Sequence, residues 1–324
     1  MCHLRDLPCA IAVIGLAAGG GCGGVNNGHG PPDAAIDARP PDSAALPDAA
    51  AARCDPSKPF GMPALIPNIN SDVRDQGAEL IDDLTIIFGS DRSPPGLYIA
   101  TRATPTSPFG TPAPLTAINA TPGATGVAGP TLTADGLTLY YAVTTAQDPG
   151  DIYVTHRNSR ADAFAAGTPV TGLNSPTTDL DPFISADGST LYFDSGRLTS
   201  VSLRLYAAVR QASGSFAAPQ PLTAFNSQDA AIVDGHPVLS PDGLTLYWSS
   251  TRTDGGAQGL TDIWKASRTS TAGDFGAAVR VPELSSAKGE SVSWVSPDNC
   301  MVLLQSDRPG GPGLQDIYQA VRPL

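Results

Sequence analysis

A hairpin signature recurs five times along the chain, and its spacing leaves few folds open. An Asp-Gly turn followed by an alternating strand occurs at Asp135-Gly136 (LTLYY), Asp187-Gly188 (STLYF) and Asp242-Gly243 (LTLYW). Variants stand at Asp82-Asp83 (LTIIF) and Asp298-Asn299 (CMVLL). The aligned positions Ile86, Leu139, Leu191, Leu246 and Val302 are 53, 52, 55 and 56 residues apart. A short apolar segment precedes each turn (AELI, PTLT, PFIS, PVLS, VSWV), so each unit reads as strand, tight turn, strand. A third alternating strand ending in Arg follows: LYIATR, DIYVTHR, LRLYAAVR, DIWKASR and DIYQAVR. A fourth segment comes next at 109–119, 164–174, 216–226 and 275–285, and its prolines confine it to a sheet edge.

The fifth unit stops after its third strand, at Leu324, while an unmatched fourth segment, FGMPALIPNIN, stands at 60–70. If that segment completes the last sheet, five four-stranded modules close into a ring. The predicted fold is therefore an all-β, five-bladed β-propeller over residues 58–324, closed by an N-terminal strand that completes the C-terminal blade. Composition agrees. Gly and Pro make up 65 of 324 residues, and the chain has 28 Asp but 3 Glu, and 16 Arg but 3 Lys. Too few strong helix formers remain to clothe a helical bundle or a doubly wound α/β fold. Cys54 precedes the donated strand and Cys300 begins the second strand of the last blade, so a Cys54–Cys300 disulfide is expected to lock the ring, the alternative being two free thiols.

Residues 1–21 read as a signal peptide, with Arg5, an apolar stretch from Ala10 to Ala18, and small residues before Cys22. That cysteine context resembles a bacterial lipoprotein cleavage site and implies a lipid on Cys22; an ordinary signal peptide cut nearby is the other reading. Residues 22–57, rich in Ala, Pro, Asp and Gly, carry almost no large apolar side chains and read as a disordered tether. A net charge of −12 argues against nucleic acid as a partner. No apolar run reaches the ~20 residues of a membrane span, so membrane contact is expected only through the lipid. The expected location is the periplasm or cell surface, as an outer-membrane lipoprotein.

The units PFISADGSTLYF, PVLSPDGLTLYWSSTR with DIWKASR, and VSWVSPDN with SDRPGGPGLQDIYQAVR resemble the WD40-like PD40 repeats, which occur in the propeller of TolB and in bacterial lipoproteins. The shared signature is S-P-D-G, an aromatic strand, S-x-R and D-I-Y. The resemblance runs over about residues 72–324 and is weaker in the first two units, the second of which lacks S-x-R. It implies a propeller and does not imply an activity.

Two sets of residues are candidates for chemistry. Arg92, Arg197, Arg252 and Arg308 of S-x-R, with Asp151, Asp262 and Asp316 of D-I-[YW], are expected to form repeated structural pairs; a ring of arginines for an anionic ligand is the competing reading. Asp179, Asp181, Asp234, His236 and Glu290 stand where the innermost strands of the later units begin. There they are candidates for ligand binding at the channel mouth, to a cation or a sugar, or for capping loops. Catalytic signatures such as G-x-S-x-G, H-E-x-x-H, a P-loop or C-x-x-C are absent from the sequence, and neither catalytic residues nor cofactors are expected. The adjacent aromatics (Tyr140-Tyr141, Tyr192-Phe193, Tyr247-Trp248) read as packing between blades. The leading expectation is a monomeric, non-catalytic binding or scaffold module whose partner is an envelope protein or glycan. The alternative is a lectin-like or glycoside-hydrolysing propeller.

Overall fold

In a computed structural model, residues 53–198 and 202–324 are described. The expected signal peptide, Cys22 and the tether up to Ala52 lie outside the described residues. Five four-stranded antiparallel sheets are present among them. From the inside outward, the first blade is Asp75–Asp82, Thr85–Ser90, Gly96–Thr101 and Ala113–Pro114. The second is Ala124–Leu132, Thr138–Thr145, Asp151–His156 and Thr168–Pro169, and the third is Asp179–Ile184, Thr190–Ser195, Arg204–Val209 and Gln220–Pro221. The fourth is Asp234–Leu239, Thr245–Ser250, Asp262–Ser267 and Val279–Arg280. The fifth takes Glu290–Val295, Met301–Ser306 and Asp316–Val321 from the C-terminal end and Ala64–Leu65 from the N-terminal side. The inner strands of neighbouring blades pack on one another around the whole circle, the fifth against the first. The molecule is a five-bladed propeller.

The turns form for a local reason. In four hairpins a Thr or Ser hydroxyl (Thr133, Ser185, Ser240, Ser296) donates at 2.6 Å to the turn Asp, which also accepts the amide two residues on. The next residue then takes a left-handed φ, 68° at Gly136 and Gly188, 71° at Gly243 and 57° at Asn299. Gly and Asn are the residues that adopt this conformation at least cost.

The fourth segments are less regular than the sequence predicts, with only two residues of each in ladder geometry. Proline offers no N–H to the sheet, and a side chain continues the pairing instead. Asn119, Asn174 and Asn226 each accept the amide and donate to the carbonyl of one third-strand residue: Leu97, Ile152 and Leu205 respectively. Asn70 does the same to Ile317, across 247 residues of sequence.

The arginine ending each third strand adds a second clasp. Arg102, Arg157, Arg210 and Arg268 donate from Nε to a carbonyl of their hairpin turn and stack on Phe109, Phe164, Phe216 and Phe275, at 4.4–4.8 Å from the ring centres. In the last blade Arg322 does this with the Asn299 carbonyl and Phe60, at 3.8 Å. Phe60 thus takes the place in the fifth blade that Phe109 has in the first, as the displaced segment predicts. The strand register Ala64↔Gln319 and Leu65↔Tyr318 completes the sheet, and Cys54–Cys300 is disulfide-bonded. This bond closes a loop of 246 residues. Replacing both cysteines by Ser is expected to cost about 2–4 kcal/mol. Thermal melting of the two proteins checks this, and superimposable curves would mean that the clasp holds without the bond.

The adjacent aromatics pack between blades. Tyr140 of the second blade shares a core cluster with Ile184, Leu191 and Phe216 of the third, and Tyr141 shares one with Ile87 and Leu97 of the first.

Candidate functional site

The inner strands all begin on one face of the ring, here the upper face, and their side chains line a central channel of three parts. Two cavities of about 390 and 440 Å³ share Arg74, Gln76, Leu203 and His236 and make a funnel on the upper face. A throat of about 30 Å³ follows, walled by Gly77, Gly129, Asp181, His236 and Val292, one from each blade. A basin of about 230 Å³ lies below, lined mainly by apolar groups including Leu132, Ile184, Leu239 and Val295, with Glu79 among them.

A β-bulge in each inner strand shapes the throat. Its first unpaired residue is left-handed in four blades, with φ of 60° at Gly77, 59° at Gly129, 47° at Asp181 and 52° at His236. Glycine takes this conformation freely, whereas other residues carry strain of about 1–2 kcal/mol. Asp181 and His236 keep the strained position and turn their side chains to the axis, which marks them as functional candidates.

The remaining mouth candidates are used otherwise. Asp179, Asp234 and Glu290 are fully buried and joined to the S-x-R arginine of their own blade. Arg197 Nη2 lies 2.6 Å from Asp179, Arg252 Nη2 2.8 Å from Asp234, and Arg308 Nη2 3.4 Å from Glu290. The first blade repeats this with Arg92 and Asp75 at 2.6 Å. Each arginine is anchored by its motif Ser, whose hydroxyl accepts from Nε (Ser90, Ser195, Ser250, Ser306), and the acid is that Ser's register partner across the hairpin. This geometry corrects the expected pairing of these arginines with Asp151, Asp262 and Asp316. Asp262 instead pairs with Arg280 at 2.9 Å and accepts the amides of Gln258 and Gly259. Asp316 accepts the Gly313 amide. Asp151 belongs to the blade without S-x-R, and its Oδ1 has no hydrogen-bond partner. Burial, then the charges of Asp148 and Asp179, push its carboxyl up to about 6.

At the throat three groups meet: Asp181, Asp194 and His236 offer ligand atoms that all lie within 4.8 Å of one another. His236 Nε2 is 3.2 Å from Asp181 Oδ2. The His236 backbone amide donates to Asp194 Oδ2 at 3.2 Å. Asp194 is fully buried, and its Oδ1 has no hydrogen-bond partner. Burial, then the charge of Asp181, holds its carboxyl well above the ordinary range. Ser249 Oγ lies 3.3 Å from His236 Nδ1, and Gln305 Nε2 lies 3.1 Å from His236 Nε2.

Asp194, Ser249 and Gln305 were not singled out from the sequence. A signal for them exists: each stands immediately before the Ser of S-x-R, in LYFDS, LYWSS and VLLQS, where a polar residue interrupts a buried strand.

No protein-family model matches the sequence, and no curated protein matches it. Solved structures do share the fold. The GH43_1 enzyme from Xanthomonas citri complexed with xylotriose is 16% identical over 81% of this chain and 89% of its own, with a TM-score of 0.57. The endo-arabinase from Bacteroides thetaiotaomicron VPI-5482 is 15% identical over 82% of this chain and 98% of its own, with a TM-score of 0.53. TolB from Acinetobacter baumannii is 16% identical, with a TM-score of 0.42; the match covers 82% of this chain and 54% of that one. At these identities the likeness is one of fold. The disulfide is consistent with an extracytoplasmic protein.

Proposed function

We propose that this chain is an exported, lipid-anchored propeller of the PD40-like type that binds an envelope protein in its upper funnel without catalysing a reaction. One observation carries this reading. Four of the five inner strands begin with a buried acid, and each of those acids is neutralised by a partly buried arginine of its own blade. The ring of carboxylates that the sequence points to the mouth is thus structural. The two acids left at the throat, Asp181 and Asp194, stand against each other, whereas a glycoside-hydrolysing pair flanks a gap of about 5–9.5 Å that admits the scissile bond. Around the funnel, Leu260 and Leu314 are 72% and 71% exposed, which suits a protein contact.

The test is a photoreactive residue at Leu260 or Leu314, illuminated in intact cells, with Val209, which does not line the funnel, as the control. A defined protein adduct from the funnel positions alone is the expected result. Release of reducing sugar from an oligosaccharide panel, abolished in Asp181→Asn, would overturn the non-catalytic reading. Glycan binding without turnover and without a protein adduct would replace the protein partner by a glycan, which the funnel's volume also accommodates.

A further inference from the structure

Three groups with ligating atoms meet around His236. Gln305 Oε1 accepts the Gly77 amide at 2.6 Å, which fixes that side chain so that its NH₂ group points at His236 Nε2. An NH₂ group only donates, so Nε2 is the unprotonated nitrogen and Nδ1 carries the hydrogen. Ser249 Oγ, 3.3 Å away, receives it, and the Ser249 hydroxyl in turn donates to the Gly235 carbonyl at 3.1 Å. Asp181 Oδ2 lies 3.2 Å from the same Nε2. Asp194 Oδ1, fully buried, has no hydrogen-bond partner. Three side chains thus bring ligating atoms within 4.8 Å of one another. The adjoining throat, about 30 Å³, has room for an ion or a water and none for a sugar or a peptide side chain.

From this convergence we propose that Asp181, Asp194 and His236 form a cation site at the floor of the funnel, selective for a first-row divalent ion such as Zn²⁺ or Mn²⁺. A cation there takes the Nε2 lone pair in place of the Gln305 N–H and is bound by both carboxylates as well. One imidazole with two carboxylates suits these ions, whereas Ca²⁺ and Mg²⁺ favour sets made of oxygen alone. Ser249, as acceptor of Nδ1–H, holds the ring in the tautomer that ligation requires. The inference is independent of what occupies the funnel above.

The test is calorimetric titration of Zn²⁺, Mn²⁺ and Ca²⁺ into the chelator-stripped, dialysed full chain. Asp181→Asn and His236→Asn are the variants, because Asn tolerates the left-handed backbone that both positions require. Circular dichroism and melting curves establish that they fold. His156→Asn, on an exposed residue, is the control. One equivalent of Zn²⁺ or Mn²⁺ is expected to bind the parent protein and the control, raising the melting temperature of both, with affinity falling about tenfold or more in the two throat variants. Failure of the parent to take up one equivalent, uptake that both throat variants leave unchanged, or a preference for Ca²⁺ would overturn the proposal.

Discussion

Asp179→Ala is expected to lose roughly 3–5 kcal/mol of folding stability, because it leaves a largely buried arginine without its counter-charge. Asp179 is fully buried; its Oδ1 receives Arg197 Nη2 at 2.6 Å, and its Oδ2 receives the Ser175 amide and hydroxyl at 2.6 and 2.8 Å. Arg197 in turn lies 5.1 and 5.0 Å from the ring centres of Phe193 and Tyr206. Removing one member strands the other in this environment. Removing both, as in Asp179→Val with Arg197→Thr, is expected to cost less than the sum of the single losses. The second blade contains this replacement already: Val127 and Val143 face each other where other blades place acid and serine, and Thr145 stands in the arginine's place. Urea unfolding of the two single variants and the double variant provides the measurement. A loss under about 1 kcal/mol in Asp179→Ala would mean that the clamp does not hold the blade.

The second large effect is one of pH. Burial in the lower basin pushes the Glu79 carboxyl up to about 8 from an ordinary 4.5, despite bonds from the Thr131 hydroxyl and the Leu132 amide. Between these values the folded chain holds a proton that the unfolded chain has released. The Glu79 contribution to stability is therefore greatest below about 4.5, falls as pH rises through the window, and levels off above about 8. The slope approaches 1.4 kcal/mol per pH unit, a total of several kcal/mol. Glu79→Gln keeps the shape without the titration and should remove this slope, making the variant the more stable of the two at pH 8. Asp151, raised to about 6, slopes the same way in both proteins and cancels from the comparison. Denaturation at pH 5, 6.5 and 8 reads the difference, and parallel profiles would contradict the account of the basin.

What the sequence discloses and what it hides follow from the range of the interactions. Asp135-Gly136 and its repeats are legible because a tight turn is a contact between near neighbours. The ring closure is legible because Phe60–Asn70 repeats a pattern that stands after every other third strand. The arginine clamps were mispaired because D-I-Y follows S-x-R in the sequence, whereas Asp179 faces Ser195 only once the hairpin register is set. Asp181 and His236 were legible as residues of the channel mouth, but their difference from Asp179 and Asp234, two positions earlier, depends on a bulge that turns one side chain to the axis and buries the other. Asp194 was hidden for a related reason. It lies on a second strand, and its carboxyl comes near His236 only through the stacking of neighbouring blades. Glu79 reads as one acid in an apolar strand, AELI, and only the assembled basin reveals its burial.

Every one of these placements requires that the two ends of the domain share a sheet. Peptide mapping of the non-reduced, alkylated protein isolated from its own cells tests this most directly. The account predicts one linked pair of peptides carrying Cys54 and Cys300, with neither residue alkylated. Recovery of Cys300 as a free, alkylated thiol, or bridged to any other cysteine, would contradict it.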